Sequence, residues 1–465
     1  MTRMERMKPT ERLDADLLVI GWGKAGKSLA RTLGSAGRSV VMVEQSEEMY
    51  GGTCINIACV PTKALVHQAE IRRPGDDAAG WFTAAVGKRD GLIDKLRARN
   101  HAMLAEVDAV TVVDGKARFM GPREVEVTAG EDRLRITGTT VVINTGTVPA
   151  RPDLPGAQGP RVHDSTTLQH VTPLPGRLTV VGGGFIGLEF AGMFARFGSR
   201  VTLLNSGVRL LPGEDADVAA AVAAALADAG VEVVHGVRAS GFVDDGSEVR
   251  VDYDGAGDGV SVDGGTIVAD AVLLATGRTP ATEGLDLAAA GVDVDERGFV
   301  VVDDQLRTST ADVYAVGDIN GGPQFTYISY DDHRIVLDQL TAAEGSPATR
   351  RTTDRVAVPT TTFLTPPLSR VGLSETQARE QGLEVHVVTK AVADIAAMPR
   401  PKILGETHGL LKFVVDANSG LILGATLFCV DSQELINLVA LAMRAKVPAT
   451  ELRDGIWTHP SSTEA

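Results

Sequence analysis

Two thiols stand five positions apart in GGTCINIACVPTK, residues 51–63, at Cys54 and Cys59. The chain has three cysteines in 465 residues, and the third, Cys429, is remote. So few cysteines make no disulfide framework. A structural zinc site takes four ligands, commonly in paired clusters, and no histidine lies between or beside this pair. The remaining chemistry is redox exchange. In a regular α-helix, residues five apart are separated by about 8.6 Å at Cα, whereas a disulfide requires less than about 7 Å. A bridge between Cys54 and Cys59 therefore needs broken helical backbone. Gly51 and Gly52 precede the helix start, and Pro61 has no N–H to give the carbonyl of Ile57. A strained, exposed disulfide is easily reduced, and a thiol near a helix N-terminus has its thiolate favoured.

The elements that must carry this pair appear twice. Residues 16–44, DLLVIGWGKAGKSLARTLGSAGRSVVMVE, align with residues 177–205, RLTVVGGGFIGLEFAGMFARFGSRVTLLN. Each segment is an apolar run, a G-x-G-x-x-G turn, a helical pattern and a second apolar run. This is the β-α-β unit of a dinucleotide site. Gly21, Gly23 and Gly26 in the first copy, and Gly182, Gly184 and Gly187 in the second, let backbone N–H groups approach a pyrophosphate at a helix N-terminus. INTGTVP (143–149) and LATGRTP (274–280) repeat a return element after each unit. The stretch 244–259 reads as a hairpin. Glu44 ends the second strand of the first unit, where a carboxylate can accept from a ribose. Its counterpart is Asn205, with Arg209 four residues on, a pairing that favours a 2′-phosphate and hence NADPH over NADH.

The formal net charge is −15, with a pI near 5.1. This argues against a nucleic-acid partner. No apolar run reaches bilayer length, so no membrane partner is expected. The charged N-terminus, MTRMERMKPTERLDA, reads as a frayed extension and not as a secretory signal. The location expected is cytoplasmic.

GGTCINIACVPTK resembles the redox motif of the class I pyridine nucleotide–disulfide oxidoreductases, the family of dihydrolipoamide dehydrogenase, glutathione reductase and mercuric reductase. The resemblance covers essentially the whole chain. GWGKAG (21–26) is similar to the FAD motif and GGGFIG (182–187) to the NAD(P)H motif. DVYAVGD (312–318) is similar to the second flavin segment and THPSSTE (458–464) to the acid–base segment. GGPQFTYIS (321–329), TPPLSRVGLSE (365–375) and CVDSQELIN (429–437) most resemble the bacterial reactive-chlorine-resistance flavoproteins, relatives of mercuric reductase. That subgroup is linked with reduction of copper(II) and hypothiocyanous acid. A heavy-metal-binding N-terminal domain and a C-terminal cysteine pair are lacking, which argues against a true mercuric reductase. The sequence departs from the family at Ala58, where glycine is usual.

The resemblance implies an α/β fold with two Rossmann-like three-layer nucleotide-binding domains and a C-terminal α+β dimerisation domain. The expected divisions are an FAD-binding domain at 1–155 that resumes at 281–345, an NAD(P)H-binding domain at 156–280, and a dimerisation domain at 346–465. It implies FAD and NADPH (or NADH) as cofactors and no resident metal. Cys59 becomes the flavin-side thiol and Cys54 the interchange thiol. Lys63 and Glu189 pair at the flavin edge, and Phe185 gates the nicotinamide; its alternative is ordinary core. His459 is the acid–base group, oriented by Glu464. Asp318 takes the ribityl chain, and Gly52, Thr53, Thr145, Gly146, Gly277 and Gly317 complete the cofactor contacts. Cis peptide bonds are implied before Pro366 and Pro460. The helix of residues 429–446 suits a homodimer interface, with His459 serving the other chain's thiols. The expected substrate is a small oxidant or a metal ion such as copper(II), mercury(II) or hypothiocyanous acid. The alternatives are a dihydrolipoamide dehydrogenase-like subunit and a redox sensor without turnover.

Overall fold

The strand Glu11–Ile20 shows why its sequence is apolar on both sides. Leu17 and Val19 enter one core, with Trp22, Leu29 and Leu33, while Leu18 and Ile20 enter another, with Val41, Ile136 and Ile143. Successive side chains point to opposite faces, so a strand covered on both faces has no polar position to spare. The computed structural model describes residues 11–257, 263–343 and 347–465. Of the expected frayed extension at 1–15, residues 1–10 lie outside the described residues, whereas residues 11–15 are not frayed: they open the strand Glu11–Ile20 and pair with residues 134–138 of the strand Asp132–Ile143. The expected boundary at 345/346 also lies outside the described residues.

Two compact units form. The first comprises residues up to 64, 87–150 and 277–355, and the second comprises 65–86, 151–276 and 356–465. The first unit holds a seven-stranded sheet. Val110–Asp114, Val40–Glu44, Glu11–Ile20, Asp132–Ile143 and Val313–Ala315 run parallel, and an antiparallel extension follows through Glu124–Ala129 to Lys116–Gly121. The helix Lys24–Ser35 covers it with Ala25, Leu29, Ala30 and Leu33 at helical spacing. The return elements Thr147–Pro149 and Arg278–Pro280 pair antiparallel with each other, a pairing that neither motif announces.

The second unit repeats the plan in a five-stranded parallel sheet, ordered Val231–His235, Arg200–Asn205, Arg177–Val181, Ala271–Leu274 and Val162–His163. The helix Phe185–Phe197 follows its glycine turn. Hydrogen bonds repeat as well: Gly21 N donates to Val43 O at 2.8 Å, and Gly182 N donates to Leu204 O at 2.9 Å. The expected hairpin turns at Asp245–Glu248, between Val237–Asp244 and Val249–Gly255; its residues 258 and 259 lie outside the described residues. Residues 65–86 join this unit because Phe82 packs on Phe194 and Phe197 at 5.7 and 5.0 Å between ring centroids. An antiparallel five-stranded sheet and the helix Ser432–Arg444 form its C-terminal part.

Lys412 is 4% exposed, and its ammonium meets Asp215, Asp217 and Glu375 at 3.1, 3.0 and 2.9 Å. Desolvation pushes Asp215 up, but the Thr376 hydroxyl and N–H and the Lys412 ammonium outweigh it and hold the carboxyl at about 2. Lys412→Met strands three carboxylates. Removing one partner of a buried pair costs about 3–5 kcal/mol, and we discount this to roughly 2–3 kcal/mol because Asp217 and Glu375 are partly exposed. A depressed carboxylate stabilises above its unfolded pKa and stops doing so as pH falls through its folded one. Denaturation midpoints of wild type and Lys412→Met should therefore differ most near pH 7 and converge as pH drops from about 5 to about 2, through the folded pKa of Asp215. A pH-independent difference contradicts the ion cluster.

Candidate active site

The backbone break expected between the cysteines is present. Thr53–Asn56 and Cys59–Glu70 are separate helices, joined by Ile57 at φ −136° and by Ala58. Ala58 N donates to Thr53 O across five residues at 2.9 Å, and Ala58 O accepts from the Thr62 hydroxyl. Ala58 does not have a positive φ, so its methyl is accommodated where glycine is usual. Gly51 (φ +102°) and Gly52 (φ +81°) launch the first helix, and a Cβ on Gly52 would lie 2.7 Å from Trp22 O.

Cys54, Cys59 and Cys429 are not joined by a disulfide in this structure. Cys54 is half-buried and Cys59 exposed. Cys59 Sγ lies 3.8 Å from Thr326 Oγ1, at the start of the helix Thr326–Thr341. Its hydrogen bond with Cys59 pushes the Cys54 thiol pKa up, and burial adds to this, while Thr326 and the Lys27 ammonium act in the opposite direction. Lys63 is half-buried, one turn beyond Cys59.

Around the first glycine turn the residues fit FAD. Gly21 has φ +92°, and a Cβ there would lie 2.6 Å from Asn144 O. Gly26 N donates to Asn144 Oδ1 at 2.8 Å, and Asn144 Nδ2 reaches Val316 O at 2.6 Å. Asn144, absent from the sequence reading, thus joins the Gly-rich turn to the DVYAVGD segment. Glu44 is buried, which raises its pKa, and it accepts from Trp22 N at 2.9 Å and Gln45 N at 2.8 Å. A carboxylate has about four acceptor positions, so it retains capacity for a ribose hydroxyl. Asp318 is raised by burial; it accepts from Thr147 Oγ1 at 3.2 Å, which accepts from Arg278 Nε at 2.7 Å. Gly317 N donates to the buried Asp332 at 2.6 Å. Among the described residues, Trp22 Nε1 and Thr145 Oγ1 are buried without a hydrogen-bond partner, as expected of groups that receive a polar cofactor. Beside Thr145, a Cβ on Gly146 would meet only Thr53 Oγ1, at 3.9 Å.

In the second unit, Gly182 has φ +113°, Gly184 caps the helix Phe185–Phe197, and Gly187 packs on Gly182 O. Phe185 is 58% exposed, which excludes the ordinary-core reading. Glu189 is buried and accepts from Phe363 N at 2.8 Å. Asn205 Nδ2 holds its own loop, through Gly207 O at 2.8 Å and Arg209 O at 3.1 Å, and contacts His235 Nδ1. Arg209 Nη1 is buried without a partner among the described residues. Gly277, in the first unit, has φ +116° and open space around it.

His459 Nδ1 and Glu464 Oε1 are 2.7 Å apart, and Glu464 Oε2 accepts from Ser461 N at 2.8 Å. The Ser461 N–H and His459 lower the Glu464 pKa. Ser462 Oγ donates to Asp431, which Arg400 also holds; sequence reading missed Asp431. The peptide bonds before Pro366 and Pro460 are cis as expected, and so is that before Pro173.

Cys429 is fully buried, and burial pushes its thiol up to about 12. A thiol that stays protonated is a poor nucleophile. Alkylation of the reduced, native protein should leave Cys429 unmodified, and denaturation should expose it. Native modification of Cys429 as fast as of Cys54 or Cys59 contradicts this.

The pyridine nucleotide–disulphide oxidoreductase profile matches residues 15–332, and the dimerisation-domain profile of that family matches 358–465. Probable pyridine nucleotide-disulfide oxidoreductase RclA of Escherichia coli K12 is 44% identical over 449 residues, 96% of this chain and 97% of that protein. Dihydrolipoyl dehydrogenase of Thermus scotoductus is 36% identical over 97% of this chain and 95% of its own. Mercuric reductase of Bacillus cereus is 32% identical over 95% of this chain and 68% of its own. The solved copper(II) complex of HOCl-induced flavoprotein disulfide reductase RclA from Escherichia coli superimposes with a TM-score of 0.90 at 43% identity, covering 97% of each chain. The paired glycine turns, the neighbouring thiols Cys54 and Cys59 and these matches agree: the chain is an oxidoreductase of the pyridine nucleotide–disulphide oxidoreductase family, with FAD and NAD(P)H as cofactors.

Proposed function

We propose that this enzyme takes electrons from NADPH and delivers them, through the Cys54–Cys59 pair, to a small oxidant or metal ion: copper(II), mercury(II) or hypothiocyanous acid. The observation that carries this reading is a thiol pair, Cys59 exposed beside Thr326 and Cys54 half-buried, in a chain 44% identical to RclA. HOCl induction and a copper(II) complex are described for RclA.

When bound, FAD supplies the two-electron relay between nicotinamide and disulfide. Gly21, Gly23, Gly26 and Glu44 would hold its pyrophosphate and ribose, and Gly52, Thr53, Thr145, Gly146, Gly317 and Asp318 would complete its contacts. Lys63 and Glu189 would supply the charges that the family resemblance assigns to the flavin. Cys59 would be the flavin-side thiol and Cys54 the thiol that meets the oxidant. Two electrons and two protons open the disulfide. The dithiol returns both electrons, reducing two copper(II) ions to copper(I), or hypothiocyanous acid to thiocyanate and water. His459, oriented by Glu464, stores and returns the thiol proton. The dimerisation-domain match and the 71% exposed His459 side chain support a homodimer in which His459 serves the thiols of the second copy. The scarcity of cysteines and the exchangeable pair suit the cytoplasm.

Oxidation of NADPH and NADH by the purified holoenzyme, with each oxidant and with lipoamide, tests the reading. Turnover with the small oxidants should be lost in Cys54→Ser. Arg209→Ala should lower kcat/KM for NADPH about tenfold to a hundredfold, the value of one charge-assisted contact, and spare NADH. Lipoamide as the best substrate together with an NADH preference supports the dihydrolipoamide dehydrogenase reading. No oxidant-dependent turnover supports a sensor.

A further inference from the structure

Lys27 follows the first glycine motif, where a solvated lysine would be expected. It is instead 5% exposed. Lysine is rarely buried unless paired with an opposite charge. Its partners here are both neutral: Gly51 O at 3.0 Å and Asn100 Oδ1 at 2.7 Å. The charges that act on it are Lys24, which disfavours its proton, and Cys54, which favours it. Burial brings its pKa down to about 8, so the ammonium persists at neutral pH without a carboxylate counter-ion. Cys54 is the acid on which that unbalanced charge falls.

The same ammonium holds the turn that launches Cys54. Gly51 and Gly52 both have positive φ, a conformation that needs external support. Lys27 holds the Gly51 carbonyl. Asn56 Nδ2 holds the Gly52 carbonyl at 3.0 Å, and Arg97 Nε holds Asn56 Oδ1 at 3.1 Å. Asn100 Nδ2 donates to Leu96 O of its own helix, Ala78–Ala105, at 2.8 Å, which orients the amide oxygen towards Lys27. The other groups facing this cluster are Cys59 and Thr326 on the thiol side, Arg97 with Asp94, and His101, which stacks on Tyr50.

We propose that Lys27 is a positioning residue for the interchange thiol: from behind the Gly51–Gly52 turn its ammonium fixes the approach to Cys54 and favours the Cys54 thiolate. Lys27 keeps its own proton at neutral pH and loses it above about pH 8. The Cys54 proton goes to the acid–base group, or to buffer in the assay below. The inference rests on the function proposed above only in taking Cys54 as the thiol that meets oxidant.

The test uses the FAD-loaded Cys59→Ser enzyme and follows iodoacetamide alkylation of the Cys54 peptide from about pH 6 to 10. It needs no oxidant and no turnover, so failure of the substrate assignment leaves its result intact. Lys27→Gln keeps a donor for Gly51 O but removes the charge. It should raise the alkylation midpoint by on the order of one pH unit, as loss of a nearby opposite charge does. Asn100→Ala removes a support but keeps the ammonium, and should leave the midpoint in place. Asn100→Asp gives the ammonium a carboxylate and should raise the midpoint with Lys27 intact; it decides the matter if Lys27→Gln does not fold. An unchanged midpoint in Lys27→Gln, or in Asn100→Asp where that variant decides, overturns the proposal. So does an equal shift in Asn100→Ala, which would make Lys27 a structural strut alone.

Discussion

A regular helix cannot bring two cysteines five residues apart into bonding distance, and the first unit is arranged around breaking that helix. The break costs backbone hydrogen bonds and places two glycines at positive φ. Side chains from elsewhere stabilise it: Lys27 and Asn56 on the carbonyls of the turn, Thr62 on Ala58 O. These contacts keep the two thiols in separate helices, Thr53–Asn56 and Cys59–Glu70, and not in one continuous helix. A pair so placed suits reversible exchange better than stapling, as the proposed relay requires.

The twofold β-α-β plan shows how one scaffold yields two different cofactor sites. Corresponding glycine N–H groups donate to corresponding carbonyls at the ends of the second strands. The difference lies in the next side chain. Glu44 turns its carboxylate onto Trp22 N of the glycine turn, whereas Asn205 turns its amide onto its own loop and leaves Arg209 Nη1 buried without a partner among the described residues. The proposed preference for NADPH rests on this difference.

Much of this was legible because the signals are local and periodic. Glycine spacing, apolar runs and the Cys-x4-Cys pair each fix a short-range geometry, and the second copy of the glycine motif confirmed the first. What escaped was neutral or long-range. Asn144 contacts Gly26 across 118 positions and Asp332 caps Gly317, but an asparagine or aspartate in a strand end or helix has no spacing that marks it. Lys27 carries no sequence signal, because its burial depends on Asn100 of the helix Ala78–Ala105. Residues 65–86 were assigned with their sequence neighbours, whereas Phe82 packs with Phe194 and Phe197.

The central claim is that Cys54 and Cys59 form the relay, with Cys59 on the flavin side. The structure leaves Cys59 the more exposed of the two thiols, so the assignment needs a direct spectroscopic readout. The most direct measurement is the visible spectrum of the holoenzyme during two-electron reduction. Wild type should gain a long-wavelength band from a thiolate against the flavin. Cys59→Ser should lack the band at every stage, and Cys54→Ser should show it before any reductant is added. A band that survives in Cys59→Ser and disappears in Cys54→Ser contradicts the account and reverses the two roles.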